Sequence, residues 1–271
     1  RLAAAQWLES HEPELARVCR TYEPVGFRVQ GRYTTGTTRV MSPQRWSCLG
    51  DAGQFPDPLY SPGTDLIGFS NAMTANAIAL DRRACLPVGL VDYCDTFLRA
   101  QADGITRVTK AFYAMRGRPV PIACKLLWDF VAGWATNGAA MFGGSFLDPS
   151  AFARSVAPLR DFTRLSDAMQ RLFVRWATTV PGRHRFDFID YLAVPFVEAV
   201  RSRSLRRGRT PDELAADASD AMAVMRALAA AIERLAARDG LDMGAREPGQ
   251  SSEVDTQLSA LFRESVIGTA R

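Results

Sequence analysis

The sequence predicts an α+β chain that is mainly α, and three observations carry that expectation. Beyond Pro87 every segment places apolar residues at helical spacing, cut by Gly-Arg-Pro, Gly-Gly, Pro-Gly and Gly-Arg-Thr-Pro punctuation. Alternating or β-rich runs occur only between Val25 and Leu49. The 271 residues are 47% hydrophobic and 23% charged, which supplies a sizeable core and excludes disordered and low-complexity classes.

The elements follow in order. Residues 1–24 read as an amphipathic helix with no apolar signal core. The chain begins with Arg1, and we read it as a piece of a longer protein. Val25, Phe27 and Val29 alternate with Gly26, Arg28 and Gln30, the pattern of a half-buried strand. A β-rich run at Tyr33–Thr38 follows, then a turn at Pro43–Arg45 and a short buried strand at Trp46–Leu49. Residues 50–80, GDAGQFPDPLYSPGTDLIGFSNAMTANAIAL, open as a Gly/Pro/Asp loop and continue as a helix. Ser61 suits its N-cap and Pro62 its first position. Helices are expected near 87–115, 121–142, 150–179, 186–205, 211–238 and 252–267, with a polar linker at 239–256. The 122–142 segment is the most apolar, but Lys125, Asp129 and Asn137 within it argue for a buried helix over a membrane span.

Composition narrows the chemistry. The net charge of +4 is carried almost wholly by arginine and is too small to argue for a nucleic-acid partner. Cys19, Cys48, Cys85, Cys94 and Cys124 are scattered and odd in number, as in a reduced cytoplasmic protein. His11 and His184 are the only histidines, so His-rich metal sites and Ser-His-Asp catalysis lack material, and both read as surface residues.

The loop at 50–64 carries the functional signal. Asp51, at the end of a strand, can accept hydrogen bonds from ligand hydroxyls. Gly50, Ala52 and Gly53 leave room for a close approach. The helix entered at Pro62 offers the N–H groups of Gly63, Thr64 and Asp65 and the positive end of its dipole to an electron-rich edge. A plain strand–turn–helix connection would use the same residues.

GDA-x4-DP-x4-G resembles the second flavin motif of the p-hydroxybenzoate-hydroxylase-like flavoprotein superfamily. More narrowly, GDAGQFPDPLYSPGTDLIGFSN is similar to the flavin-dependent halogenases, with the WSCLGDA context before it. The resemblance is strongest at 46–76 and covers about residues 25–100. It implies FAD as cofactor, with Asp51 bonding the ribityl chain, Gly50 and Ala52 beside it in the cofactor site, Pro58 shaping the loop beside the flavin, and Gly63 and Thr64 at the pyrimidine edge of the ring. It divides the chain into 1–85, the remainder of an FAD- and substrate-binding domain, and 86–271, a helical C-terminal domain. No G-x-G-x-x-G occurs in the chain, so the pyrophosphate half of such a site is expected elsewhere.

The activity implied is that of a cytoplasmic FAD-dependent oxidoreductase, a monooxygenase or a halogenase-like enzyme of secondary metabolism. It would take electrons from NAD(P)H or a flavin reductase and act on an electron-rich small molecule. Two departures bear on halide chemistry. Tyr60 stands where tryptophan halogenases carry a glutamate, and Pro62 removes a turn N–H that could hold an anion. A reductase of the prenyl-reductase type, and a non-enzymatic helical interaction module with a degenerate motif, remain open alternatives. The aromatics Phe112, Tyr113, Phe130, Trp134 and Phe142, with Trp128, read as core or as walls of a substrate pocket. The arginines at 201, 203, 206, 207 and 209 read as a solvated helix end or as a dock for a substrate tethered to an acidic carrier protein.

Overall fold

The computed structural model describes residues 2–22, 25–29, 31, 33–181, 189–244 and 252–263. His184 and the first residues of the helix expected at 186 lie outside them. The chain forms two compact units, residues 1–35 and 36–271.

In the first unit the helix expected over 1–24 is two: α1 (Leu2–His11) and α2 (Pro13–Thr21). Pro13 lacks the N–H that would continue α1, and it restarts the helix in the first position, where no N–H is needed. Arg20 reaches back to Glu9 at 3.1 Å, and His11 is exposed, stacked on Trp7. The half-buried strand expected at 25–29 does not form. Val25 and Val29 are exposed and the segment has no regular structure, because alternation makes a strand only where a sheet covers one face.

Strand content is small: β1 (Thr35–Gly36), β2 (Met41–Ser42), β3 (Trp46–Ser47) and β4 (Gln54–Phe55). β2 and β3 pair antiparallel, Met41 with Ser47 and Ser42 with Trp46, across the turn expected at 43–45. The strand expected to be buried at Trp46–Leu49 is not: Trp46 and Leu49 are more than two-fifths exposed, and the hairpin buries Val40 and Met41 instead.

The rest of the second unit is helical. α3 (Pro62–Arg82) and α4 (Leu90–Tyr113) pack with the hairpin around Phe69, Met73, Phe97 and Phe146. This apolar cluster draws on both sides of the boundary expected at 85/86. The larger core is built on α10 (Pro211–Arg238), whose Met225, Leu228, Ala231, Ile232 and Ala236 are fully or almost fully buried. A capping box, Thr210 with Glu213, starts that helix. Around it pack α5 (Pro119–Gly133), α7 (Pro149–Val156), α8 (Phe162–Thr179) and α11 (Glu253–Arg263). Between α5 and α6 (Ala139–Gly143) the helix widens to a π turn at Trp134–Gly138. The helix expected over 186–205 is shorter, α9 (Pro195–Ser204), because Pro195 cannot continue a helix and so begins one. Among the described residues no helix is long and apolar enough to cross a membrane.

Candidate functional site

The loop from Gly50 to Thr64 is shaped by its own packing. Gly50–Ala52 makes one 3-10 turn, entered with Gly50 at φ +51°, and the Gly50 N–H donates to Ser70 Oγ of α3 at 3.1 Å. A Cβ on Gly50 would lie 2.4 Å from Ile67 Cγ1, and one on Gly53 would lie 2.8 Å from the Cys48 carbonyl oxygen. Both glycines therefore serve close approach of protein to protein. Asp57 is buried and accepts from the Leu59 N–H at 2.8 Å and the Tyr113 hydroxyl at 3.0 Å, which fixes the turn at Pro58. Pro58 is exposed, and its carbonyl accepts the Ser61 N–H at 3.0 Å.

Tyr60 and Ser61 are consecutive non-glycine residues in the left-handed region, at φ 68° and 54°. Each such residue costs about 1–3 kcal/mol and persists only where its surroundings hold it. α3 then starts at Pro62 as expected, but the Ser61 side chain makes no cap hydrogen bond. Thr64 turns back, its hydroxyl donating to the Ser61 carbonyl at 2.6 Å. The Gly63 N–H, second in the helix, has no acceptor within it. Asp51 is exposed, and its Oδ1 lies 3.4 Å from where a Cβ on Gly63 would stand. The structure thus brings Asp51 to the start of α3, beside Gly63, which Thr64 follows in sequence. Pro58 stands apart, in the turn that leads into Tyr60.

Behind Tyr60 opens a cavity of about 590 Å³. Its lining begins at Leu59, Tyr60, Pro62 and Asp65 and continues over α4, α5, the π turn, α6 and α8. Of the aromatics in question, Phe130, Trp134 and Phe142 line it, whereas Trp128 is wholly buried in the core. Gly138 lets the Trp134 ring pack close there, since a Cβ would lie 2.7 Å from it and displace the ring. Ser204 donates to the Trp134 carbonyl at 2.8 Å, supplying a partner to a backbone group of the widened turn.

Among the polar side chains of this wall, which include Asp65, Arg107, Asn137 and Asp167, Tyr60, Asp129 and Gln170 form one connected group. The Tyr60 hydroxyl donates to Asp129 Oδ2 at 3.0 Å. Lys125 Nζ, fully buried, donates to the same oxygen at 2.5 Å and to Gln170 Oε1 at 2.6 Å, and Gln170 Nε2 donates to Asp129 Oδ1 at 2.9 Å. Burial pushes the Asp129 carboxyl up, against the pull of Lys125, and lowers Lys125, against the pull of Asp129. Burial and the Asp129 charge both raise the Tyr60 phenol far above its ordinary value, so it stays a hydrogen-bond donor. Asp65, at the cavity edge, is raised by burial.

Sequence reasoning assigned Asp129 and Lys125 only to a buried helix and missed this group. The signal available was an acid and a base four apart inside the most apolar helix, which side by side can be buried only as a pair. Gln170 carried no signal, because its place on α8 opposite α5 is set by packing. The Tyr60 hydroxyl thus has a carboxylate partner supplied by α5.

The arginine run has its partners within the chain. Arg201 pairs with Glu198 at 2.8 Å, Arg203 with Asp220 at 2.7 Å, and Arg206 and Arg209 with Asp217 at 3.4 and 2.5 Å. Four of the five arginines at that helix end are paired with acids of α9 and α10, and Arg206 and Arg207 remain exposed. The five cysteines are free thiols. No family model, curated protein or solved structure matches the chain.

Proposed function

We propose that this chain is the substrate-side part of an FAD-dependent oxidoreductase, a monooxygenase or halogenase-like enzyme. The observation that carries the reading is the approach of the Asp51 carboxylate to Gly63 at the start of α3, the helix whose Pro62 and Asp65 line a large cavity. Those residues fit the ribityl and pyrimidine end of a flavin: a carboxylate to accept from hydroxyls, and a helix-start N–H to donate to a ring carbonyl. Thr64 contributes by closing the first turn, since its hydroxyl is bonded to Ser61. Bound there, a flavin reduced by NAD(P)H or by a reductase supplies the oxygen or hydride chemistry. The chain's own residues supply position, an apolar enclosure and the Tyr60–Asp129 pair. A reductase or dehydrogenase is the second reading, favoured by the extent of apolar wall. Oxygen consumption separates the two.

The test is flavin content in protein made from the complete coding sequence. Wild type is expected to carry FAD. Asp51→Ala should retain it at least about tenfold more weakly, because a hydrogen bond to a charged group contributes about 1.5–3 kcal/mol. Asp57→Ala, whose partners are Leu59 and Tyr113, should retain it better. Equal flavin in folded wild type and Asp51→Ala, or none in wild type, overturns the assignment.

A further inference from the structure

We propose that the cavity is a binding site for a neutral, largely apolar ligand that carries one hydroxyl or N–H donor, and that the Tyr60 oxygen receives that donor. Three independent features mark the cavity as built for a ligand. Tyr60, which lines it, is the first of two consecutive residues in the left-handed region, Tyr60 and Ser61. Another wall is a π turn, a helix irregularity common at functional sites, held open by Gly138 and Ser204. Its lining includes Asp129, whose buried pairing with Lys125 sets a charged group directly behind the wall.

The hydrogen-bond inventory sets the ligand's polarity. Tyr60 commits its one proton to Asp129, so toward the cavity its oxygen offers only lone pairs. Asp129 is engaged by Lys125, Gln170 and Tyr60, and so polarises the phenol without itself being free. A ligand group that meets this oxygen must donate.

Charge sets the rest. Asp65, Asp129 and Asp167 line the cavity, while the lining cation is Arg107, paired with Asp167 at 3.8 Å; Lys125 lies behind the wall. With Asp129 paired to Lys125 and Asp167 to Arg107, an anionic ligand would meet Asp65 and no cation that is not already matched by an acid. A volume of about 590 Å³ encloses a ligand of drug size, the range in which most of the molecule's surface is buried. The inference concerns the cavity described under the proposed function but does not require a flavin there.

The experiment titrates the folded chain, without flavin, with three probes of one shape: 2-naphthol, 2-methoxynaphthalene and 2-naphthoate, read by probe fluorescence and calorimetry. 2-Naphthol is expected to bind about five- to tenfold tighter than its ether, the ratio one neutral hydrogen bond gives. 2-Naphthoate should bind at least tenfold more weakly than 2-naphthol. In Tyr60→Phe, with its fold checked by near-UV circular dichroism, the preference for naphthol over the ether should vanish while the ether's affinity stays. Equal binding of naphthol and ether by wild type, a preference that survives in Tyr60→Phe, tighter binding of the naphthoate, or no binding up to millimolar probe overturns the proposal. None of these outcomes depends on flavin content, so failure here and failure of the flavoenzyme reading are separate results.

Discussion

Gly50 shows how a single position can be fixed by packing while looking like a ligand contact. Its φ of +51° costs any L-residue about 1–2 kcal/mol, and a Cβ there would stand 2.4 Å from Ile67 Cγ1. Ile67 is 41% exposed and can turn away, so the clash is relieved at modest cost. Gly50→Ala is therefore expected to lower unfolding stability by about 1–3 kcal/mol, seen as a lower urea midpoint with an unchanged slope. An unchanged midpoint would mean that the left-handed conformation at Gly50 is not required. The same reasoning makes Asp51 the cleaner probe of the proposed flavin contact, since its side chain is exposed.

The hairpin is held to α4 by Asp95. This carboxylate is 3% exposed; it accepts from the N–H groups of Val40 at 2.7 Å and Met41 at 3.1 Å, and Arg99 Nε lies 3.0 Å away. Burial alone would raise its pKa, but the two backbone donors and Arg99 outweigh it and hold the group below its ordinary value. A depressed carboxylate contributes stability that is complete above its unfolded pKa, about 3.9, and that is lost as pH falls through the lower folded value. Asp95→Asn should cost about 1.5–3 kcal/mol at pH 7. The gap between variant and wild type should narrow below about pH 4, measured by urea unfolding across that range. A gap independent of pH would show that the charge is not what holds the hairpin.

Across the molecule, the buried group of Lys125, Asp129 and Gln170 joins α5 to α8 and, through Tyr60, to the loop before α3. Desolvation opposes the charge on both Lys125 and Asp129, so the pair is tolerated for its mutual attraction and for the hydrogen bonds around it. Asp129→Leu would leave a buried cation, and Lys125→Met a buried carboxylate; each is expected to cost about 3–5 kcal/mol. The double variant should cost less than either single one, because no orphaned charge remains. If the two costs simply add in a denaturant double-mutant cycle, the two charges do not stabilise each other.

The sequence by itself determined the helical character of the chain beyond Pro87, the start of α3 at Pro62, the turn at Pro43–Arg45 and the role of Asp57 in shaping the loop before Pro58. All of these rest on local physics: apolar periodicity, proline's missing N–H, and a carboxylate bonding the backbone two residues on. Tertiary structure decided what depends on neighbours distant in sequence. Val25, Phe27 and Val29 alternate correctly, yet form no strand without a sheet to cover them. The acids of α9 and α10 that pair with the arginines near the end of α9 are a tertiary arrangement, though Arg206 and Arg207 stay exposed. The cavity and its polar group exist because packing brings residue 60 to residue 129 and residue 125 to residue 170, contacts that no local pattern encodes.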